Sequence, residues 1–220
     1  NVNKPKFTFI DLFAGIGGFH IAMHNLGGEC VFASEWDIDA RKTYIANFSD
    51  ISPELFSDEY NSTRFAGDIT QVNPRDIPDH DILCGGFPCQ PFSQAGFKKG
   101  FEDTRGTLFF NIAEIIKTKR PKAVFLENVR GLLNHDNAKT FEIIQNVIKE
   151  LGYSFHYKII KASDFNLPQH RPRLYMICFR NDIDDLSFEF PTPLPLTMTM
   201  RDVFDGSSVN RDIGFTLRVG

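Results

Sequence analysis

The sequence predicts a doubly wound α/β fold: a mostly parallel sheet with helices on both faces. Three observations predict it. Short β-rich apolar runs alternate with helix-length amphipathic segments along most of the chain. The first apolar run opens into a glycine-rich turn, as in a β-turn-α unit. Finally, 23 phenylalanines against 5 tyrosines and 1 tryptophan supply apolar volume for a thick core. A length of 220 residues suits one sizeable domain plus a tail. With 42% hydrophobic and 24% charged residues, wholesale disorder and fibrous repeats are excluded.

The elements follow in order. Residues 7–13 read as a strand that ends in Gly15-Ile16-Gly17-Gly18, and a helix over 19–26 is stopped by Gly27-Gly28. Residues 30–33 form a second strand ending at Ser34-Glu35-Trp36, after which Asp37 caps a helix to about residue 48. Residues 49–66 are loop-like, and 82–84 are a third strand. The stretch 85–105, rich in Gly, Pro, Ser and Phe, is a connection whose length marks it as functional or mobile. A helix over 106–118, a strand over 123–126, a helix over 138–151 and strands near 153–160 and 174–179 complete the alternation. Pro191-Thr192-Pro193-Leu194-Pro195 reads as a linker.

Charge and cysteines narrow the function. A net charge of −4 is the opposite of what a self-sufficient nucleic-acid binder carries, so any contacts to DNA are local or supplied elsewhere. No run approaches the roughly 18 apolar residues of a membrane helix, and residues 1–6 are too polar for a signal peptide. No membrane association and a cytoplasmic location are therefore expected. Four cysteines do not make a disulfide scaffold at this length; Cys30, Cys84 and Cys178 sit in apolar runs, as buried thiols do.

Four constellations carry chemistry. Phe13 to Gly18 lets the backbone approach a ligand, and Glu35, twenty positions after Gly15, ends the second strand where an acid accepts from ribose hydroxyls. Together they suit an adenosine-containing cofactor; the alternative is an ordinary turn and a surface acid. In Gly85-Gly86-Phe87-Pro88-Cys89-Gln90-Pro91-Phe92-Ser93, Cys89 is expected exposed and rigidly presented, a candidate nucleophile rather than a structural thiol. A metal pair with Cys84 is disfavoured, because the strand turns the two sulfurs differently and no histidine follows at the right spacing. Glu127, expected just past its strand, is a candidate acid if burial keeps it protonated, or else a capping or salt-bridged glutamate. Arg171 and Arg173, two apart on an extended segment, point the same way and can fork onto a phosphate, a carbonyl oxygen or a carboxylate; the alternative is a solvated charge cluster.

In this order the motifs resemble the cytosine-5 DNA methyltransferases of bacterial restriction-modification systems, over nearly the whole chain to about residue 204. The resemblance rests on residues 9–19, Glu35-Trp36, Gly67-Asp68-Ile69, residues 86–93, Glu127-Asn128-Val129 and Gln169-His170-Arg171-Pro172-Arg173. It implies a Rossmann-like methyltransferase fold, S-adenosylmethionine as cofactor and duplex DNA as substrate, with the target cytosine flipped into the site. It assigns catalysis to Cys89, Glu127, Arg171 and Arg173, with Cys89 adding to carbon-6 and Glu127 giving a proton at nitrogen-3. The cofactor falls to Phe13, Gly15, Ile16, Gly18, Glu35, Trp36, Asp68, Ile69, Pro88 and Leu108. DNA falls to Gln90, Ser93, Lys98, Lys99, Arg105 and Gln169. Residues 1–182 are expected to be the catalytic domain, and 183–220 a linker and the start of an incomplete target-recognition domain. A further segment or a second polypeptide is expected to supply the rest. Transfer RNA cytosine methylation and a non-catalytic cofactor- or DNA-binding subunit are the rival readings.

Overall fold

The computed structural model describes residues 4–57, 63–92, 100–136, 138–164, 169–183, 186–193 and 214–215, with only backbone described at 169–170 and 214–215. Its seven-stranded sheet has the order β3-β2-β1-β4-β5-β8-β6. The strands are β1 (Phe7–Leu12), β2 (Gly28–Ser34), β3 (Phe65–Ala66), β4 (Ile82–Gly85), β5 (Ala123–Val129), β6 (His156–Lys161) and β8 (Pro172–Phe179). Two-residue β7 (Gln169–His170) and β9 (Gly214–Phe215) pair in parallel apart from it. The first five strands of the order pair in parallel; β8 runs antiparallel to both β5 and β6.

Four helices cover the sheet: α1 (Gly18–Asn25), α2 (Ile38–Phe48), α3 (Leu108–Lys119) and α4 (Lys139–Glu150). The period of two along β1 sorts them. Phe9 faces a core shared with Met23 of α1 and with Tyr44 and Phe48 of α2, while Ile10 and Leu12 face the core of Ile112, Ile116, Ile144 and Val147 from α3 and α4. The expected helices on both faces are present. Among the described residues no helix is long and apolar enough to cross a membrane.

Two local rules hold as read. Asp37 caps α2, its Oδ1 accepting from the Ala40 amide at 2.8 Å. Gly17 has φ +100°, and a Cβ there would lie 1.9 Å from the Phe48 ring, so only glycine lets the turn settle on α2.

Elsewhere the structure departs from expectation. Residues 49–66 are not simply a loop: they contain a 3-10 turn over Pro53–Phe56 and edge strand β3. Strand β5 continues to Val129, because its ladder with β8 runs on to Val129 opposite Arg173. Phe188, in the stretch 183–220 expected to be a linker and the start of a further domain, packs its ring 5.2 Å from Phe179 and 5.1 Å from His156.

Under the first turn lies a buried polar chain. Ser52 Oγ is 3.0 Å from His20 Nε2, His20 Nδ1 is 2.6 Å from the Tyr44 hydroxyl, and that hydroxyl donates to Asp11 Oδ2 at 3.2 Å. Asp11 Oδ1 finds no donor among the described residues. A carboxylate so enclosed with so few donors is costly unless it keeps its proton. Burial accordingly pushes the Asp11 carboxyl up to about 8, with the Tyr44 hydrogen bond opposing and Glu35 adding to the rise.

Candidate active site

Three of the parallel strands, β1, β2 and β4, send their carboxyl ends to one rim, where open α/β sheets bind ligands. Between the ends of β1, β2 and β3 lies a cleft of about 430 Å³, lined among others by Phe13, Glu35, Trp36, Asp68, Ile69, Pro88 and Leu108. All seven were expected at the cofactor. The left-handed φ of 52° at Phe13, uncommon for a side chain of this size, occurs at the very residue that lines the cleft. Glu35 is held by backbone: Oε2 accepts from the Gly15 amide at 2.7 Å and Oε1 from the Asp37 amide at 3.1 Å. Asp68 Oδ1 accepts from the Thr70 amide at 2.9 Å and its hydroxyl at 2.7 Å. Each of these carboxylate oxygens keeps lone-pair capacity for a ligand hydroxyl or amine.

The expected turn residues divide. Gly15 touches the cleft through its bond to Glu35. Ile16 is 64% exposed, and its carbonyl accepts from Asn47 Nδ2 at 3.0 Å. Gly18 lines a different cavity, of about 500 Å³, with Glu127, Arg171, Arg173 and Tyr175.

That second cavity has a charged wall. Across the antiparallel ladder Glu127 stands opposite Tyr175, so Arg173 is its diagonal neighbour on the same face. Arg173 Nε donates to Glu127 Oε1 at 2.9 Å. Burial holds the Glu127 carboxyl above its ordinary value, while Arg173 and Arg171 pull it down. The alternatives left open by sequence, acid or salt-bridged glutamate, thus coexist: Glu127 is paired and yet raised. It sits inside β5 rather than past its end, as expected earlier, because the partner strand extends the pairing. The other oxygen sits against the chain at Gly86, where a Cβ would come 3.0 Å from Oε2.

Cys89 differs most from expectation. It is half-buried rather than exposed and packs against the α3/α4 core, lining a small recess with Phe92, Phe109, Leu132 and Ile144. Burial pushes its thiol up. The lining of this recess and that of the Glu127 cavity share no residue, so the two expected catalytic groups are on one rim but in separate hollows. Pro88 belongs both to the recess and to the cleft that Glu35 lines.

Gln90, expected on DNA, turns inward: its Oε1 accepts from the Leu108 amide at 2.9 Å, tying the loop to the start of α3. Arg105 is exposed, pairs with Glu102 and lies 5.7 Å over the Phe110 ring. Ser93, Lys98 and Lys99 lie outside the described residues, as does the Gln169 side chain. Sequence reasoning missed Asn128, whose Nδ2 donates to the Phe87 carbonyl at 2.8 Å and so moors the cysteine loop to β5. Its place within the Glu127-Asn128-Val129 motif was the available signal.

Comparison with known proteins identifies the family and the fold. A family model described as C-5 cytosine-specific DNA methylase matches residues 7–216. Type II methyltransferase M.HhaI of Haemophilus parahaemolyticus is 52% identical over 195 residues, covering 89% of this chain and 56% of that protein. Type II methyltransferase M.HpaII of Haemophilus parainfluenzae is 51% identical over 210 residues, covering 94% and 55%. The chain therefore spans about half the length of the curated relatives it matches. A Spodoptera frugiperda DNMT2 mutant superposes with a TM-score of 0.68 at 22% identity, covering 89% of this chain and 59% of that one. A putative prophage-encoded DNA modification methyltransferase of E. coli superposes at 0.65 and 22%, covering 90% and 54%; both likenesses show the Rossmann-like methyltransferase fold. With a matching model over nearly its full length and relatives about half identical to it, the chain belongs to the C-5 cytosine-specific DNA methylase family.

Proposed function

We propose that this chain is the catalytic part of an enzyme that methylates carbon-5 of cytosine in duplex DNA, with S-adenosylmethionine as donor, in a restriction-modification setting. The observation that carries the reading is the cleft of about 430 Å³: an anchored acid, Glu35, that can accept from ribose hydroxyls, beside the flat surfaces of Phe13 and Trp36 and the apolar Ile69, which suit a purine. When bound there, the cofactor supplies an electrophilic methyl group. Soluble, cytoplasmic operation and a boundary near residues 182–183 belong to the same reading, as does a recognition segment carried by a further stretch or a second polypeptide.

The chain's own residues divide the work. Carbon-5 of cytosine is a poor nucleophile, so the Cys89 sulfur, as thiolate, adds to carbon-6 and pushes electron density onto carbon-5 and nitrogen-3. Glu127, held above its ordinary pKa, gives its proton to nitrogen-3. Arg173 holds Glu127, and Arg171 lines the same cavity, where both guanidinium groups would face the flipped base. Once carbon-5 carries the methyl group, the carbon-5 proton leaves to water, the carbon–sulfur bond breaks to restore the Cys89 thiolate, and nitrogen-3 returns its proton to Glu127. Lys98, Lys99, Arg105, Ser93 and Gln169 are proposed at the DNA backbone or the bases. Gln90 fits a loop-anchoring role better than a DNA contact.

The test uses the protein that carries this chain. Duplex DNA bearing 5-fluorocytosine at the target traps the carbon-6 adduct, because fluorine cannot leave as a proton does. A cofactor-dependent covalent complex is expected, and it is expected to vanish in Cys89→Ser together with tritiated methyl transfer. Equal methyl incorporation by wild type and Cys89→Ser overturns the nucleophile. Preference for transfer RNA over duplex DNA in the same assay supports the RNA reading instead.

A further inference from the structure

Strand β3 has two residues and lies at the sheet's edge, where so short a ladder fixes position poorly. Its register with β2 ends at Ser34 opposite Ala66. The next residues on each side, Glu35 and the Gly67-Asp68-Ile69 segment, carry the cleft's polar groups. Arg41, one turn into α2, reaches beneath both strand ends. Its Nη1 donates to the Glu35 carbonyl at 3.0 Å and to the Ala66 carbonyl at 2.7 Å, and its Nη2 donates to the Phe65 carbonyl at 3.3 Å. The guanidinium also lies 4.1 Å over the Phe65 ring. The Ala66 carbonyl accepts from the Glu35 amide as well, at 3.0 Å, so one oxygen joins β2, β3 and α2. The planar fork serves three carbonyls from two strands at once, which a lysine ammonium on a flexible stem does not do. None of these bonds goes to the ligand cavity itself. A half-buried arginine with three backbone carbonyls as partners is a local strut at the point where the cleft's two acidic groups are set apart.

We propose that Arg41 is a positioning residue that sets the spacing of Glu35 and Asp68 and thereby the affinity for the adenosine half of the cofactor. The inference rests on the reading of the cleft as an S-adenosylmethionine site and deepens it. Its reach is limited to that half of the ligand: Arg41 bonds to neither the cysteine loop nor β5.

Isothermal titration calorimetry with S-adenosylmethionine and with 5′-methylthioadenosine, which lacks the amino-acid half, tests it in the intact protein. In Arg41→Ala the dissociation constants for both ligands are expected to rise by the same factor, about tenfold, and in Arg41→Lys by about threefold. In steady-state methyl transfer the KM for S-adenosylmethionine follows these factors, while kcat and the KM for DNA stay within about twofold. A merely structural role would lower the melting temperature and the active fraction without this split. If Arg41→Ala does not fold, Arg41→Lys carries the test alone. Wild-type binding with unchanged constants in the variants, or a loss confined to S-adenosylmethionine, overturns the role of Arg41 and leaves the cleft's reading intact. Failure of the wild type to bind S-adenosylmethionine overturns both.

Discussion

The two halves of the rim are built differently. On the β1/β2/β3 side, Glu35 and Asp68 are oriented by backbone amides and the Thr70 hydroxyl, with no cation on either carboxylate among the bonds described above. On the β5/β8 side, Glu127 is joined to Arg173, and Cys89 is tucked against the core with its thiol pushed up. Backbone amides cannot swing away, so the first half is ready for a ligand as it stands. Charged side chains can change partners, so the second half is finished by whatever enters it. The contrast teaches that binding and chemistry, in the function proposed here, draw on separate kinds of order: one stored in the main chain, the other in exchangeable side-chain pairs.

Four changes would break or sharpen that contrast. The largest effect is expected from Glu127→Gln, which removes the proposed acid: single-turnover methyl transfer falls about 10²–10³-fold while the dissociation constant for S-adenosylmethionine stays within about twofold. Because burial raises the Glu127 pKa and the acid form is the active one, the wild-type rate falls as pH rises through that pKa. Cofactor binding has no such dependence on Glu127. If both quantities drop in the variant, the two halves are one unit.

Next comes the stability profile of the chain beneath the cofactor side. Asp11 rises from an ordinary 3.8 to about 8, so between these values the folded state holds a proton that the unfolded state has lost, and stability falls with rising pH. His20 is lowered from 6.5 to about 4 by burial, with His24 adding to the fall, so between these values stability rises with pH. From pH 4 to 6.5 the two oppose each other; from 6.5 to 8 Asp11 acts alone and costs about 2 kcal/mol in all. The charged and titratable groups acting on Asp11 are Glu35, Tyr44, Cys30 and Cys84, and the two thiols stay protonated throughout this range. Urea titrations of Asp11→Asn should show no decline between pH 6.5 and 8 beyond that of other groups. A decline as steep as the wild type's would mean that Asp11 is ionised in the fold.

A smaller effect is expected from Gly86→Ala. The added Cβ comes 3.0 Å from Glu127 Oε2, so the carboxylate paired with Arg173 must give by a few tenths of an ångström. Methyl transfer should drop about tenfold with cofactor affinity unchanged, since misplacement acts through geometry alone. The smallest belongs to the other half: Asp37→Ala removes the cap of α2 and should lower stability by about 1 kcal/mol in urea unfolding, leaving the rate of bound enzyme unaltered.

What could be read from sequence was what is local. The glycine turn needs only neighbours in the chain, as does the Asp37 cap, and both were legible from residue type and spacing. Glu35 was legible because it follows a strand at a fixed distance from Gly15, and the structure joins the two by one hydrogen bond. The end of β5 was misjudged because it depends on β8, some fifty residues away in the chain, and no local signal marks that pairing. Cys89 was misjudged because a Pro-Cys loop rich in glycine looks open, whereas Asn128 of β5 and the Leu108 amide of α3, both far off in the sequence, anchor it through Phe87 and Gln90. The buried Ser52-His20-Tyr44-Asp11 chain left no periodic trace at all, since each of its members sits on a different element. Arg41 escaped notice because its partners are carbonyls, which every residue has.

The reversal of β8 settles where cations can stand in this architecture. A strand that enters the sheet upside down begins where its neighbours finish, so Arg171, just before it, and Arg173, its second residue, are delivered to an edge otherwise populated by strand tails and the turns that follow them. Were β8 to run the usual way, the same two guanidinium groups would emerge at the far edge of the sheet, and the acid on β5 would lose the arginine it is paired with.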